Sequence, residues 1–121
     1  MKTRRGQQRL REATLQNYNG RCAVCDLLDG QFLIASHIDR WSDNDEARGE
    51  LGNVLLLCRI HDALFEHCYF SLDDQLRILK RPVPAGSVIE AVLRPFTRLT
   101  PAAHFAPDKC FLAKHRTRAS P

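Results

Sequence analysis

The stretch NVLLLCRIHDALFE, residues 53–66, decides the fold of this chain. Its apolar first half, residues 54–58, predicts a buried strand or a tight apolar turn. Its second half, residues 59–66, has the spacing of a short amphipathic helix. The side chains that this spacing turns towards the core are Ile60, Ala63 and Leu64. We therefore expect a core built on a strand that is followed at once by a helix.

Two pairs of metal-ligand residues share one spacing. Cys58 and His61 stand three residues apart where the predicted strand meets the predicted helix, and Cys22 and Cys25 repeat this spacing upstream. Two such pairs complete a four-coordinate zinc site with no open position. The pairs therefore predict a structural Zn²⁺. The alternatives are chance spacing of burial-prone residues and a redox pair at Cys22 and Cys25, although the thioredoxin-like βαβ context of a redox pair is missing.

The remaining sequence predicts short elements around this core. Apolar periodicity and turn residues define them. The predicted elements are a helix at 4–18, a strand at 32–35 leading to His37, a loop at 39–52, a hairpin at 68–80, a helix at 88–93 capped by Ser87, and a last helix at 107–115 that packs through Phe111 and Leu112. This mixture of helices and short strands predicts the α+β class.

Charge is unevenly distributed along the 121 residues. Residues 1–21 carry six basic residues against one acidic residue, residues 22–80 five against eleven, and residues 81–121 seven against two. Two basic flanks around an acidic centre suit a protein that binds phosphates at its edges and a divalent cation at its centre. Ordinary solvated surface explains the same distribution equally well.

Cysteine usage and hydropathy indicate the compartment. Five cysteines, an odd number, argue against a disulfide framework. Cys68 and Cys110, outside the predicted zinc site, are expected to be small buried hydrophobic residues. No apolar run approaches the ~20 residues needed to cross a bilayer, and the N-terminus lacks the apolar stretch of a secretory signal. We therefore expect a soluble, cytoplasmic protein.

Further motifs lie between and beside the two ligand pairs. Ala-Ser-His-Ile occupies residues 35–38 and is followed by Trp41, an asparagine stands at residue 53, and His-Asp-Ala-Leu-Phe-Glu occupies residues 61–66. With these motifs in this order, residues 5–80 resemble the HNH (ββα-metal) endonuclease family, in its branch with Ser-His-Ile, Asn and Leu-Phe-acid motifs. The resemblance implies a small ββα-metal domain with structural zinc, flanking helices and one catalytic divalent cation.

The resemblance assigns roles to three residues. His37 matches the general base that takes a proton from the attacking water. Asn53 matches the asparagine that holds the base-bearing loop or orients the histidine, and Asp62 matches the position of a metal-binding histidine. An imidazole exchanges protons near neutral pH, and a carboxylate suits a hard cation such as Mg²⁺ or Mn²⁺. Many family members place an aspartate directly before the base as a further metal ligand, where this chain has Ser36.

The activity implied is a metal-dependent endonuclease that hydrolyses phosphodiester bonds of DNA, in restriction or defence. A non-catalytic zinc module that binds nucleic acid or protein is the rival interpretation. DNA is the expected partner, while a homodimer and an attached DNA-reading domain both stay open. We expect one domain over residues 1–121, made of a basic N-terminal helix (1–19), a zinc and ββα-metal core (20–80) and a C-terminal helical extension (81–121).

Basic residues near both termini are expected to bind the DNA backbone by displacing counterions. In the predicted first helix the arginines, Arg11 included, lie on the solvent side. His115, which precedes an arginine, is a second candidate for a backbone contact, and Trp41 is expected to fill the space beneath the loop. The candidate nucleic-acid-binding residues are Arg4, Arg5, Arg9, Arg48, Arg116 and Arg118.

Overall fold

The computed structural model describes residues 4–39 and 50–120, with side chains from residue 6 onward. These ranges hold four α-helices and two antiparallel strand pairs, so the predicted α+β class is confirmed. The helices are α1 (Arg4–Asn17), α2 (Arg59–Glu66), α3 (Val88–Leu93) and α4 (Lys109–Ala119), and the strands are β1 (Leu33–His37), β2 (Val54–Cys58), β3 (Phe70–Leu72) and β4 (Ile78–Lys80). None of these helices has the length and apolar character that crossing a membrane requires.

The β1–β2 pair forms the centre of the molecule. Its antiparallel register runs from Leu33 opposite Cys58 to His37 opposite Val54. Every residue of β2 is buried, and both α1 and α2 pack against the pair. A strand that is covered on both faces has no reason to alternate polar and apolar residues, which explains the apolar run. The register puts Cys58 and His37 at opposite ends of the pair, about 13 Å apart along the strands.

Helix α2 is rotated differently from the prediction. Its buried side chains are His61 and Phe65, four residues apart, whereas Ile60 is 61% exposed and Ala63 is exposed. Leu64 is partly buried against the core, as expected. The prediction of Ile60 and Ala63 as inward residues is wrong, because this short helix turns His61, a predicted zinc ligand, and Phe65 into the protein in place of Ile60 and Ala63.

Helix α1 packs its polar residues as well as its apolar ones. Thr14 and Asn17 are buried together with Tyr18. The guanidinium of Arg11 donates hydrogen bonds to the carbonyls of Gly30 and Leu33, so the expectation that Arg11 stays available to phosphate is wrong. These carbonyls lie just before and at the start of β1. Arg11 therefore provides hydrogen-bond donors to backbone acceptors at the beginning of this strand.

The C-terminal extension forms both predicted helices, α3 with the predicted bounds and α4 with shifted ones. The Ser87 hydroxyl caps α3 by accepting a hydrogen bond from the Glu90 amide at 3.2 Å. Helix α4 begins after the Asp108 cap and runs four residues beyond the predicted end, with Phe111 and Leu112 buried as expected. Cys110 is exposed in its first turn, so its prediction as a buried residue is wrong, and Cys68 is only partly buried.

His115 lies in the core of the molecule and not on its surface. Its ring stacks on Phe65 with 3.8 Å between ring centroids, its Nδ1 lies 2.7 Å from the Ser71 hydroxyl, and its Nε2 lies 3.0 Å from the Phe65 carbonyl oxygen. The carbonyl can only accept, so Nε2 carries the proton and Nδ1 accepts from the hydroxyl. Burial lowers the pKa of His115 to about 4, and the neutral ring fits both partners. The expectation that His115 touches nucleic acid is wrong.

Candidate functional site

The four predicted zinc ligands come from two short segments held together by backbone hydrogen bonds. The turn that carries Cys22 and Cys25 closes through the Asp26 amide, which donates to the Cys22 carbonyl at 3.0 Å. The Ala23 amide donates to the Leu56 carbonyl at 2.8 Å and fixes this turn against β2. Cys58 ends that same strand, and its Sγ caps α2 by accepting from the His61 amide at 3.5 Å. The four ligands therefore converge at the point where β2 becomes α2.

The distances between the ligand atoms suit one tetrahedral ion. All four atoms, three Sγ and one imidazole nitrogen, lie within 4.8 Å of one another. Cys25 Sγ and Cys58 Sγ are 3.9 Å apart, and His61 Nδ1 lies 3.9 Å from Cys22 Sγ and 3.1 Å from Cys58 Sγ. A tetrahedral zinc requires about 3.8 Å between sulfurs and about 3.6 Å between sulfur and nitrogen. The set fits zinc, with Nδ1 of His61 as the nitrogen ligand.

Electrostatics within the cluster also call for a cation. Burial raises the pKa of the Cys22 thiol, but hydrogen bonds from the His61 ring and from backbone amides outweigh it and lower the pKa to about 6. Burial and the charge of Cys22 raise the pKa of Cys25 to about 12 and that of Cys58 above its ordinary value. Each further thiolate in this space is disfavoured because its charge is desolvated and repelled by the first. A divalent ion allows all three to ionise.

His37 lies at the far end of the β1–β2 pair from this cluster. It is the last residue of β1, opposite Val54, and is half-buried. Ser36, the residue before it, is buried with 4% of its surface exposed. The Ser36 side chain is therefore turned into the protein.

Asn53 continues the pairing of β1 beyond His37. Its backbone carbonyl accepts from the Ile38 amide at 2.9 Å. Its side chain then takes both backbone groups of Asp39, since Oδ1 accepts from the Asp39 amide at 2.8 Å and Nδ2 donates to the Asp39 carbonyl at 3.0 Å. Asn53 is fully buried. A side-chain amide thus acts as one more residue of the neighbouring strand and keeps residues 37–39 extended.

The same segment is also held by the C-terminal extension. The Asp108 amide donates to the Gly52 carbonyl at 2.8 Å, directly before Asn53. Lys114 Nζ of α4 lies 3.5 Å from Oδ2 of the buried Asp39 carboxylate. Sequence reasoning missed Asp39 and Lys114. Asp39 could have been found, because it lies two residues after His37, and in an extended chain residues two apart point to the same side. Nothing in the sequence points to Lys114.

Residues 22–73 match the family model described as HNH endonuclease. This segment is similar to the HNH endonuclease family. It includes all four zinc ligands and the residues predicted for catalysis, His37, Asn53 and Asp62. The resemblance inferred from sequence is confirmed. A comparison with curated proteins gave no match.

Asp62 occupies the first turn of α2, next in sequence to His61, a predicted zinc ligand. Its carboxylate is half-buried, and an acidic side chain in a first turn also stabilises the helix through the helix dipole. The Cys–His cluster is the one group of three or more metal-ligating residues found within residues 4–39 and 50–120. Asp62 is therefore adjacent in sequence to one residue of the Cys–His cluster but is not a member of that cluster.

The basic residues expected to bind nucleic acid differ in their surroundings. Arg9 is exposed on α1. Arg116 donates to the Leu72 carbonyl at 2.9 Å and pairs with Asp74 at 3.2 Å, and Arg118 donates to the Glu66 carbonyl at 3.3 Å, so both of these side chains have partners within the fold. The side chains of Arg4 and Arg5, together with Arg48 and Trp41, lie outside the described residues.

Proposed function

We propose that this protein is a metal-dependent endonuclease that hydrolyses phosphodiester bonds of DNA, with His37 as the general base. The match of residues 22–73 to the HNH family supports the nuclease activity. The extension of β1 by the Asn53 side chain, directly behind His37, is the observation in the molecule that favours catalysis over binding alone. A module that only binds needs no such restraint at this histidine.

In the proposed mechanism His37 takes a proton from the attacking water. The half-buried position of the ring leaves part of it open to solvent, while the pairing of His37 with Val54 fixes its backbone. Asn53 is proposed to hold the chain that leaves His37, through the peptide groups of Asp39. A base that is fixed in this way loses little entropy on reaching the reactive geometry, which is how positioning contributes to rate.

Asp62 is proposed to hold the catalytic Mg²⁺ or Mn²⁺. A carboxylate oxygen is a suitable donor for a hard cation, and such a cation would stabilise negative charge on the phosphate and the leaving oxygen. Ser36 offers no carboxylate, so Asp62 carries more of the binding than it would in relatives with an aspartate before the base. We expect a weaker cation affinity as a result, with substrate phosphate and water completing the coordination.

The zinc is proposed to be purely structural. Three thiolates and one imidazole leave no open position for substrate or water, so this ion supplies folding free energy and no chemistry. DNA as the substrate and a role in restriction or defence are part of the proposal and rest on the family resemblance.

The experiment that tests this proposal is cleavage of a supercoiled plasmid with Mg²⁺ or Mn²⁺. The unaltered chain should nick and linearise the plasmid, and His37→Ala should cut at least ~10²-fold more slowly because the general base is lost. His104→Ala is the matched control, since it removes an exposed histidine from the loop before α4. Full activity in His37→Ala would remove His37 from the mechanism, and no cleavage by the unaltered chain would favour the non-catalytic zinc module.

A further inference from the structure

A groove of about 460 Å³ lies between the β3–β4 hairpin and the C-terminal end of α4. Apolar side chains, among them Phe70, Leu79 and Pro82, line part of it, and Leu79 is 43% exposed. Basic side chains line another part. These are Lys80, Arg81 and Arg116. None of the described residues that line the groove carries a carboxylate.

The aspartates of the β3–β4 hairpin already have cationic partners. Arg116 pairs with Asp74, and the hairpin's other aspartate, Asp73, pairs with Arg77 at 2.7 Å. Lys80 and Arg81 form no ion pair within residues 4–39 and 50–120, and Lys80 Nζ makes only a long hydrogen bond of 3.4 Å to a backbone carbonyl. Lys80 also lies close enough to the Glu90 carboxylate to attract it, although that carboxylate pairs with Arg94 at 2.7 Å. Among the described residues, Arg81 is thus a cation at this groove that has no ion-pair partner.

The Arg81 side chain is restrained by a contact with an aromatic ring. Its guanidinium lies over the Tyr69 ring, 4.1 Å from the ring centroid, and its backbone amide donates to the Tyr69 carbonyl at 2.9 Å. A stacked guanidinium keeps its N–H edge for a phosphate, which it can bind through two parallel hydrogen bonds. Because the ring already restricts this side chain, less entropy is lost when the phosphate binds.

We propose that this groove binds one strand of a nucleic acid, with Lys80 and Arg81 on the phosphates and a base against the apolar side chains. A nucleotide brings an anion and a flat apolar ring on the same unit, which matches basic residues beside an apolar surface. A peptide made only of acidic residues, such as poly-glutamate, brings the anion alone. The inference rests on the proposed function, because it adds a binding surface for the substrate of the nuclease, and both cations lie outside the matched HNH segment.

The test is fluorescence anisotropy of a labelled 12-nucleotide DNA strand, titrated with the His37→Ala chain in place of the active one so that no cleavage intervenes. Lys80→Gln with Arg81→Gln removes two phosphate contacts. Each contact contributes ~0.7 to the slope of log affinity against log salt for a single strand, so the slope should fall by about 1.4 and affinity at 0.1 M salt by about 25-fold. The matched control is Lys109→Gln with Arg98→Gln, which removes the same charges from exposed positions outside the groove.

Arg81→Lys separates charge from geometry. It should keep the salt slope but lose part of the affinity, since the planar fork and the stacking on Tyr69 are gone while the charge remains. An equal loss in the groove variant and the control variant would overturn the groove and leave diffuse charge as the cause. An unchanged affinity in both would overturn it as well, and so would a labelled poly-glutamate peptide that binds as tightly as the oligonucleotide. If the parent chain binds no DNA at all, the proposed function fails together with this inference, which distinguishes that failure from the others.

Discussion

Replacing Asn53 by alanine tests the link between the fold and the proposed base. The change removes the two hydrogen bonds, 2.8 and 3.0 Å long, that hold the peptide groups of Asp39. It leaves β1, its register with β2 and the four zinc ligands in place. Residues 37–39 should then sample conformations other than the extended one, and His37 should spend less time in its working position.

The size of the effect follows from the burial of the groups involved. Asn53 is fully buried and Asp39 is 8% exposed, and a buried peptide group without its partner costs about 1–3 kcal/mol. Two such groups give a loss of about 2–6 kcal/mol, less where water enters the space. A general base displaced by about 1 Å loses on the order of 10²-fold in rate, so the cleavage rate of the folded protein should fall by about that factor.

Asn17→Ala is the matched control. Asn17 is also a buried asparagine, and its side chain makes three hydrogen bonds of 2.9 to 3.1 Å to the backbone of His104 and Phe105, far from His37 in sequence. It should lower the melting temperature at least as much as Asn53→Ala does. Both variants are assayed for plasmid cleavage under conditions where circular dichroism shows them folded. If both variants lose the same activity per folded molecule, the loss is not specific to Asn53 and the reasoning about His37 is refuted.

Two further predictions concern His61, Asp62 and His115. His61→Ala should lose zinc, measured by elemental analysis, and should also lose its cooperative thermal transition. Asp62→Ala should keep its zinc and its thermal transition but require far more Mg²⁺ for cleavage. If Asp62→Ala loses zinc and His61→Ala does not, the roles of the two residues must be exchanged. Because burial holds the pKa of His115 at about 4 in the folded chain, against 6.5 when unfolded, the unfolded chain binds the extra proton between these values. The contribution of His115 to the free energy of unfolding should therefore be fully present above pH 6.5 and fall by about 3 kcal/mol as the pH drops to 4. In denaturant titrations, the free energy of unfolding of His115→Gln should depend less on pH than that of the unaltered chain. Parallel pH curves for the two proteins would contradict the buried, neutral state of His115.

The parts of the fold that sequence reasoning predicted are those governed by local pattern. The buried strand β2, the turn holding Cys22 and Cys25, and the position of His37 at a strand end all follow from runs and spacings within a few residues. The zinc cluster was predictable for a second reason. Because one tetrahedral zinc needs four ligands, the two ligand pairs, which are 36 positions apart, can be assigned to the same site from their residue types alone. No knowledge of the packing was needed.

The parts that were missed depend on partners far away in the sequence. His115 looks like a surface residue until Ser71 and the Phe65 carbonyl, 44 and 50 positions away, are placed around it. The same holds for Arg11, whose carbonyl partners lie about 20 positions further on. Nothing in the neighbouring sequence shows that such a polar side chain will form a hydrogen bond with a distant, buried group. Hydrogen bonds of this kind can be identified only from the three-dimensional structure.

The backbone bonds that hold the site from the C-terminal side bear on when the site can form during synthesis. The Thr100 amide donates to the Ala23 carbonyl within the zinc turn, and the Asp108 amide donates to the Gly52 carbonyl beside Asn53, both at 2.8 Å. These contacts close loops of 77 and 56 residues. A chain emerging from the ribosome can gather its zinc ligands once residue 61 is out, but the later contacts must wait for residues 100–114. We therefore expect a nascent chain to bind zinc first and to complete the segment around His37 only after residues 100–114 have emerged, which would delay the proposed nuclease activity until then.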